Sequence, residues 1–161
     1  MLAPTIAVVH TDPPFLNLLH EFLSDEGYRI LLLSMQDAVA AVRHEMPALL
    51  ILDLWVDVRQ DGWNLLLQLR GDAATTDIPA ILFAEDAEFT ARKAAALAAM
   101  GCTVLNKPFE LGDLLAAIET RIGASPATTV RERHAYPEAS MLFFPADGYA
   151  LRVQRDVSVA E

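Results

Sequence analysis

With 161 residues, 53% of them hydrophobic and 21% charged, the chain is long enough for one ordinary domain with a short appendage and is too apolar for a disordered protein. The formal net charge of -10 lies mostly in residues 1–123, so neither part offers the basic face that nucleic acid requires. No apolar run approaches the roughly 18 residues of a membrane span, and the single cysteine, Cys102, favours a reducing compartment, so we expect a cytoplasmic protein without a membrane anchor.

Five short apolar runs alternate with stretches of helical periodicity between residues 5 and 122. This alternation predicts a parallel sheet with helices on both of its faces. Because strands that are covered on both faces contain few polar residues, nearly uninterrupted apolar runs fit this arrangement. The predicted strands are Ile6–His10, Arg29–Leu33, Leu49–Asp53, Ala80–Phe83 and Thr103–Leu105.

A helix is predicted after each of these strands. The first has Asp12 at a capping position and Pro13 in its first turn, where the missing N–H is harmless. The second begins near Ser34 and Asp37, which resemble a capping box, and the third follows Gly62. The fourth and fifth helices are predicted over residues 86–100, closed by Gly101, and over residues 109–122.

The repeating pattern ends at the sequence Gly-Ala-Ser-Pro of residues 123–126. We therefore predict a domain at residues 1–123, a linker at 124–140 and a C-terminal extension at 141–161. In the extension, two strand-like runs flank a turn at residues 145–148, which predicts a β-hairpin with one apolar face. A lone hairpin is marginally stable in water, so this one needs a surface on its own domain or on another chain.

Polar residues stand where the predicted parallel strands end, the edge at which such sheets bind ligands. Asp53 ends the third strand, and Lys107 follows the fifth, ahead of Pro108. Asp53 alone could be a loop or capping carboxylate. A lysine at a second strand end favours a functional pair, and a nearby cation is expected to lower the pKa of Asp53.

Residues 5–122 resemble the receiver domain of response regulators. The resemblance implies a flavodoxin-like, doubly wound α/β fold with strand order 2-1-3-4-5. It also implies that a histidine kinase or phosphotransfer protein donates a phosphoryl group to Asp53 with the help of Mg²⁺, that Lys107 pairs with this group, and that the backbone carbonyl of Trp55 is a metal ligand. The distinctive segments are Pro47–Asp53, Asp61 with Gly62, Ile78 with Pro79, and Lys107–Phe109.

The chain departs from the receiver pattern at the metal site. His10 and Thr11 stand where receivers place two acidic residues, and the nearest carboxylate comes one position later, at Asp12. Mg²⁺ prefers hard oxygen ligands. We therefore expect weak Mg²⁺ binding at best, with Asp53, Asp12 and Trp55 as the candidate ligands. Asp12 could join the site through a register shift, or it could simply cap the first helix.

Two further departures affect phosphorylation and its readout. The position of the phosphoryl-binding serine or threonine falls on Ala84, and that of the switching aromatic residue on Val104. The loss of one preorganised donor costs on the order of 10² to 10³ in rate in well-studied enzymes. The loop from Asp53 to Gly62 is also one residue longer than usual and lacks the expected proline.

The sequence therefore favours a pseudo-receiver of a two-component phosphorelay, which acts through protein–protein interaction and in which metal-dependent phosphorylation of Asp53 is impaired. A functional, phosphorylation-gated single-domain response regulator is the alternative, and a small-molecule enzyme on a flavodoxin-like fold is a distant third. We expect no enzymatic activity and no nucleic-acid or membrane partner. The expected partners are a histidine kinase, a phosphotransfer protein or an output protein, and a homodimer would let the extension cover the fourth and fifth helices of a second subunit.

Overall fold

The parallel sheet that the sequence predicts is present in the protein. A computed structural model describes residues 2–54, 61–124 and 141–142. Its five parallel strands lie in the order β2-β1-β3-β4-β5, which confirms the predicted fold class and strand order. The strands are β1 (Thr5–Val9), β2 (Arg29–Leu33), β3 (Leu49–Leu54), β4 (Ala80–Ala84) and β5 (Cys102–Asn106).

Five helices cover the two faces of the sheet. They are α1 (Pro13–Asp25), α2 (Ala38–Glu45), α3 (Asp61–Arg70), α4 (Ala87–Ala99) and α5 (Leu111–Ile122). Side chains of α1 and α5 pack on one face of the sheet, and those of α2, α3 and α4 pack on the other. Because successive residues of a strand point to opposite faces, Ala7 and Val9 belong to one core, and Ile6 and Val8 to the other. None of the helices in the described ranges is long and apolar enough to span a membrane.

The helix ends follow local chemistry that the sequence makes visible. Asp86 precedes α4, and its Oδ1 accepts a hydrogen bond of 2.9 Å from the backbone N–H of Phe89. Gly101 follows α4 with φ of 69°, a left-handed conformation that glycine adopts without steric cost. Asp12 occupies the N-cap position of α1, but its side chain makes no capping hydrogen bond. The predicted capping role of that carboxylate is therefore absent from the structure.

Arg70, the last residue of α3, binds three backbone carbonyls on two connecting segments. Its guanidinium donates to the carbonyl oxygens of Met100 at 2.8 Å, Thr75 at 3.1 Å and Ile78 at 2.6 Å. The side chain thus ties the end of α3 to the loop before β4 and to the turn before β5. Charged donors form stronger hydrogen bonds to carbonyls than neutral donors do. We conclude that Arg70 fixes the position of two connections on the face opposite α1.

Two residues of the C-terminal extension are described, and they pair with the domain of the same chain. Met141–Leu142 (β7) lies antiparallel to Phe109–Glu110 (β6), with Phe109 opposite Leu142 and Glu110 opposite Met141. Residues 125–140 and 143–161, and with them most of the predicted linker and hairpin, lie outside the described residues. The predicted division of the chain at residue 123 stays a prediction.

Candidate functional site

The site forms where β1, β3 and β5 end at the same edge of the sheet. Asp53 is the penultimate residue of β3, a strand whose other residues are all buried, and its carboxylate emerges where β3 reaches this edge. Asp53 lies opposite Phe83 of β4, and His10 directly follows β1 on the other side of β3. Lys107 follows β5, and its backbone N–H donates to the carbonyl of Ala84 at 2.8 Å. The parallel order of the strands thus brings residues 10, 53 and 107 together.

Lys107 forms a two-pronged contact with Asp53. Its Nζ lies 3.0 Å from Oδ1 and 3.0 Å from Oδ2 of the carboxylate. The Lys107 side chain is 7% exposed and that of Asp53 is 19% exposed, so water screens this ion pair only weakly. The peptide bond between Lys107 and Pro108 is cis. Because both contacts are short and both side chains are largely buried, Lys107 supplies a buried positive charge directly at the carboxylate.

His10 contacts the same carboxylate from the opposite side. Its Nε2 lies 2.9 Å from Oδ2 of Asp53, and its side chain is 8% exposed. The backbone N–H of Asp12 donates to Nδ1 at 3.0 Å, so Nδ1 carries no proton. In the neutral ring the proton therefore sits on Nε2, on the side of Asp53. This Nε2 is buried and has no partner in a geometrically qualified hydrogen bond within the described ranges, so its short contact with Asp53 is electrostatic in character.

The protonation of Asp53 reflects opposing effects. Burial on its own raises the pKa of this carboxyl, but the contacts with His10 and Lys107 outweigh burial and hold the pKa below its ordinary value. Asp53 is thus an anion at neutral pH. This direction is the one expected from a lysine at a second strand end of the same sheet edge.

Asp53 should make the stability of the protein depend on acid. A carboxyl with a lowered folded pKa contributes stability that is complete above the ordinary pKa of about 3.9 and is lost as pH falls toward the folded value. We therefore expect Asp53→Asn to flatten the decline in the free energy of unfolding below about pH 5, measured by urea unfolding at several pH values. Asp25→Asn, at the exposed end of α1, is the matched control. Equal acid slopes in the wild type and in Asp53→Asn would contradict the assignment.

The other predicted site residues lie nearby but do not engage Asp53. Thr11 is exposed, and the half-buried Asp12 carboxylate makes no hydrogen bond or ion pair within the described ranges. Ala84 is buried at the end of β4, where it offers only a methyl group. Val104 is half-buried and packs against the core beneath α2, α3 and α4. Trp55 lies outside the described residues.

A line of aromatic rings beneath the site was not predicted from the sequence. The His10 ring lies 4.3 Å from that of Phe15, and Phe15 meets Phe83 edge to face at 5.7 Å. Phe83 in turn lies 4.7 Å from Phe109, which pairs with the C-terminal extension. The sequence does place one aromatic residue near the end of each of β1, β4 and β5, and this pattern could have indicated the cluster. The rings support His10 from below and link it to β6.

The family to which the chain belongs follows from comparison with known proteins. The model of the response regulator receiver domain matches residues 6–119. This match covers well over half of the chain, which therefore belongs to the response regulator receiver domain family, a family of two-component signalling domains. Domains of this family interact with histidine kinases and output domains. A comparison with curated proteins gave no match.

Solved receiver structures share this fold. The N-terminal domain of a response regulator receiver protein from Methanoculleus marisnigri JR1 is 26% identical, with a TM-score of 0.54 over 73% of this chain and 94% of that one. A sensor protein from Polaromonas sp. JS666 is 23% identical, with a TM-score of 0.64 over 74% and 95% of the two chains. The receiver domain of sensor histidine kinase PA1611 from Pseudomonas aeruginosa PAO1, whose structure has magnesium in the active site cleft, is 23% identical, with a TM-score of 0.63 over 76% and 99%. The last two likenesses concern the fold alone.

Proposed function

We propose that this protein is a pseudo-receiver, a protein-interaction module of a two-component system in which metal-dependent phosphorylation of Asp53 is impaired. The observation that carries the proposal is the environment of the Asp53 carboxylate. Two nitrogens, Nε2 of His10 and Nζ of Lys107, make three contacts of 2.9 to 3.0 Å with its oxygens. In this arrangement the histidine stands where the family holds its metal. The carboxylate is already balanced by groups of the chain itself.

The donors around Asp53 do not fit Mg²⁺. Mg²⁺ requires oxygen ligands in near-octahedral geometry. His10 presents an N–H to Asp53 as long as Asp12 donates to Nδ1, so Nε2 has no lone pair for a metal ion. Within the described ranges no three His, Cys, Asp or Glu residues are grouped as a metal site. We therefore infer that Mg²⁺ binds weakly. The candidate ligands are Asp53 and the Trp55 carbonyl, which the resemblance implies, and Asp12, which would need a register shift to join them.

The chain also lacks the donor that would hold a transferred phosphoryl group beside β4. Ala84 is buried at that strand end and has no hydroxyl. A missing donor of this kind costs on the order of 10² to 10³ in rate. Together with the loss of the acidic pair, this change supports a module whose state is set by bound proteins. The proposed partners are a histidine kinase, a phosphotransfer protein or an output protein, in the cytoplasm, with no small-molecule catalysis.

One observation favours a second candidate, a slowly phosphorylated response regulator. The Asp53 carboxylate is ionised, accessible at 19% of its side chain and held by Lys107, as a phosphoacceptor requires. An anionic carboxylate with an adjacent cation can attack an activated phosphoryl group. This candidate differs from the pseudo-receiver in one measurable respect, the covalent modification of Asp53.

The deciding experiment treats the wild-type protein with a small acyl phosphate and Mg²⁺ and then measures its intact mass. We expect the mass to remain that of the unmodified chain, because His10 and Thr11 replace the acidic pair and Ala84 replaces the hydroxyl donor. Asp53→Asn treated in the same way gives the background. An added phosphoryl group that requires Mg²⁺ and disappears in Asp53→Asn would overturn the pseudo-receiver and establish the second candidate.

A further inference from the structure

We infer that Phe109–Glu110 is a strand-docking site, which the chain fills with its own Met141–Leu142. The C-terminal extension is thereby bound to its own domain, next to the segment that carries Lys107. This inference is independent of the proposed function, because it requires neither the presence nor the absence of phosphorylation at Asp53. It concerns a surface for an extended peptide, and the occupant is a segment of the same chain.

The pairing has the geometry of strand addition. Phe109 lies opposite Leu142 and Glu110 opposite Met141, in antiparallel register. These four residues form a sheet of their own, separate from the five-stranded parallel sheet. In peptide recognition of this kind the backbone hydrogen bonds provide affinity, and an open strand edge is the surface that accepts them.

The docking strand is held rigidly from both ends. Phe109 is 4% exposed, and its ring packs on Phe83 at 4.7 Å. Glu110 is the N-cap of α5, and its backbone N–H donates to Oδ2 of Asp113 at 3.3 Å. A strand that is ordered before its partner arrives loses little conformational entropy on binding. Two paired residues can therefore hold a peptide that is also tethered to the domain.

The length of the intervening chain allows this docking within one molecule. The chain leaves β6 along α5, whose 12 residues extend about 18 Å at 1.5 Å per residue. Residues 123–140 must return over this distance, and 18 residues can span up to about 60 Å. A tether of this length keeps the extension at a high effective concentration beside its docking strand. Docking in cis is thus favoured over exchange with a second chain.

The docking strand is connected to the site both along the chain and through packed aromatic rings. Phe109 stands two residues after Lys107, whose Nζ binds Asp53. Its ring also contacts Phe83, which meets Phe15 beneath His10. We therefore expect a displacement of Lys107 to alter the strand that holds the extension, and release of the extension to alter the position of Lys107. The segment from residue 107 to residue 110 is the shared element.

The test disrupts the docked strand in the full-length protein. Met141→Pro with Leu142→Pro removes two backbone N–H donors from this strand, and Ala127→Pro, in the predicted linker, is the matched control. We expect the double variant to exchange the amide hydrogen of Phe109 about tenfold faster, because in this register the Phe109 N–H faces the docked strand. The Glu110 N–H is bonded to Asp113 and should exchange as in the wild type. The control should exchange like the wild type. Unchanged exchange at Phe109 in the double variant would overturn the proposal.

Two further measurements identify the occupant. A synthetic peptide of residues 138–145 should shift the NMR signals of Phe109 and Glu110 in the double variant, where the site is vacated, and should leave the wild type unchanged. In a mixture of isotope-labelled and unlabelled wild-type protein, cross-strand nuclear Overhauser contacts between residues 109–110 and 141–142 should arise within one molecule. Contacts between labelled and unlabelled chains would show exchange between two copies and would overturn docking in cis.

Discussion

Replacement of both His10 and Thr11 by aspartate is expected to create saturable magnesium binding, tighter than that of the wild type by at least about 10- to 100-fold, the cost of losing even an outer-shell group at a metal site. The two carboxylates supply hard oxygen ligands, and the change removes the Nε2–H that faces Asp53. Isothermal titration of both proteins with MgCl₂ measures the difference. Thr11→Asp alone is the matched control, because it adds a carboxylate at an exposed position and leaves the histidine in place.

The same titration tests the interpretation of the natural site. We expect the gain in affinity to disappear when Asp53→Asn is added to the double variant, since Asp53 would be a ligand of the new site. Saturable binding by the wild type at sub-millimolar Mg²⁺, abolished by Asp53→Asn, would contradict the pseudo-receiver. It would show that Asp12 or another oxygen donor completes the site despite His10.

Arg70→Met is expected to lower the free energy of unfolding by about 3 to 5 kcal/mol. Hydrogen bonds to charged groups each contribute about 1.5 to 3 kcal/mol and do not add fully within one cluster. Arg70 makes three, to carbonyls on the loop before β4 and on the turn before β5. Urea unfolding of the purified variant, with the slope of the transition compared to that of the wild type, measures the loss.

Arg121→Met provides the comparison for this prediction. Arg121 also donates a hydrogen bond, of 2.8 Å to Oγ1 of Thr103, but at an exposed position on α5. We expect its loss to cost no more than about 1 kcal/mol, as for other exposed polar contacts. If the two variants lose the same stability, the three carbonyl contacts of Arg70 do not organise the connections around α3.

The fold was largely predictable because strands that are buried on both faces of a sheet consist almost entirely of apolar residues. The residues of β1, β3 and β4 are apolar almost without interruption, and the structure buries nearly all of them. Strand ends were less certain by one or two positions. The predicted first strand included His10, for example, whereas β1 ends at Val9. The chain turns there, and the Asp12 N–H binds the His10 ring instead of another strand.

The sequence predicts which residues meet at the site, but it does not predict which nitrogen of His10 carries the proton. The parallel strands predicted from the sequence end at one edge of the sheet, and this placed Asp53, Lys107 and His10 there. The tautomer of His10 depends on one backbone N–H two residues along the chain, and side-chain identity does not encode that contact. Arg70 was missed for a similar reason. Its partners are backbone carbonyls, one of them 30 residues away, and carbonyls are common to all residues.

The two cores that the sheet separates differ in their content of aromatic side chains. Among the described residues, the core under α2, α3 and α4 contains one buried ring, Phe89, among aliphatic side chains. The core under α1 and α5 contains five buried rings, those of Phe15, Phe22, Tyr28, Phe83 and Phe109. An aromatic ring turns about only two side-chain torsions and keeps its shape, while aliphatic chains can rearrange to fill a gap. The site and the docked extension therefore rest on the stiffer half of the protein, and α2, α3 and α4 form the half in which substitutions can be absorbed by repacking.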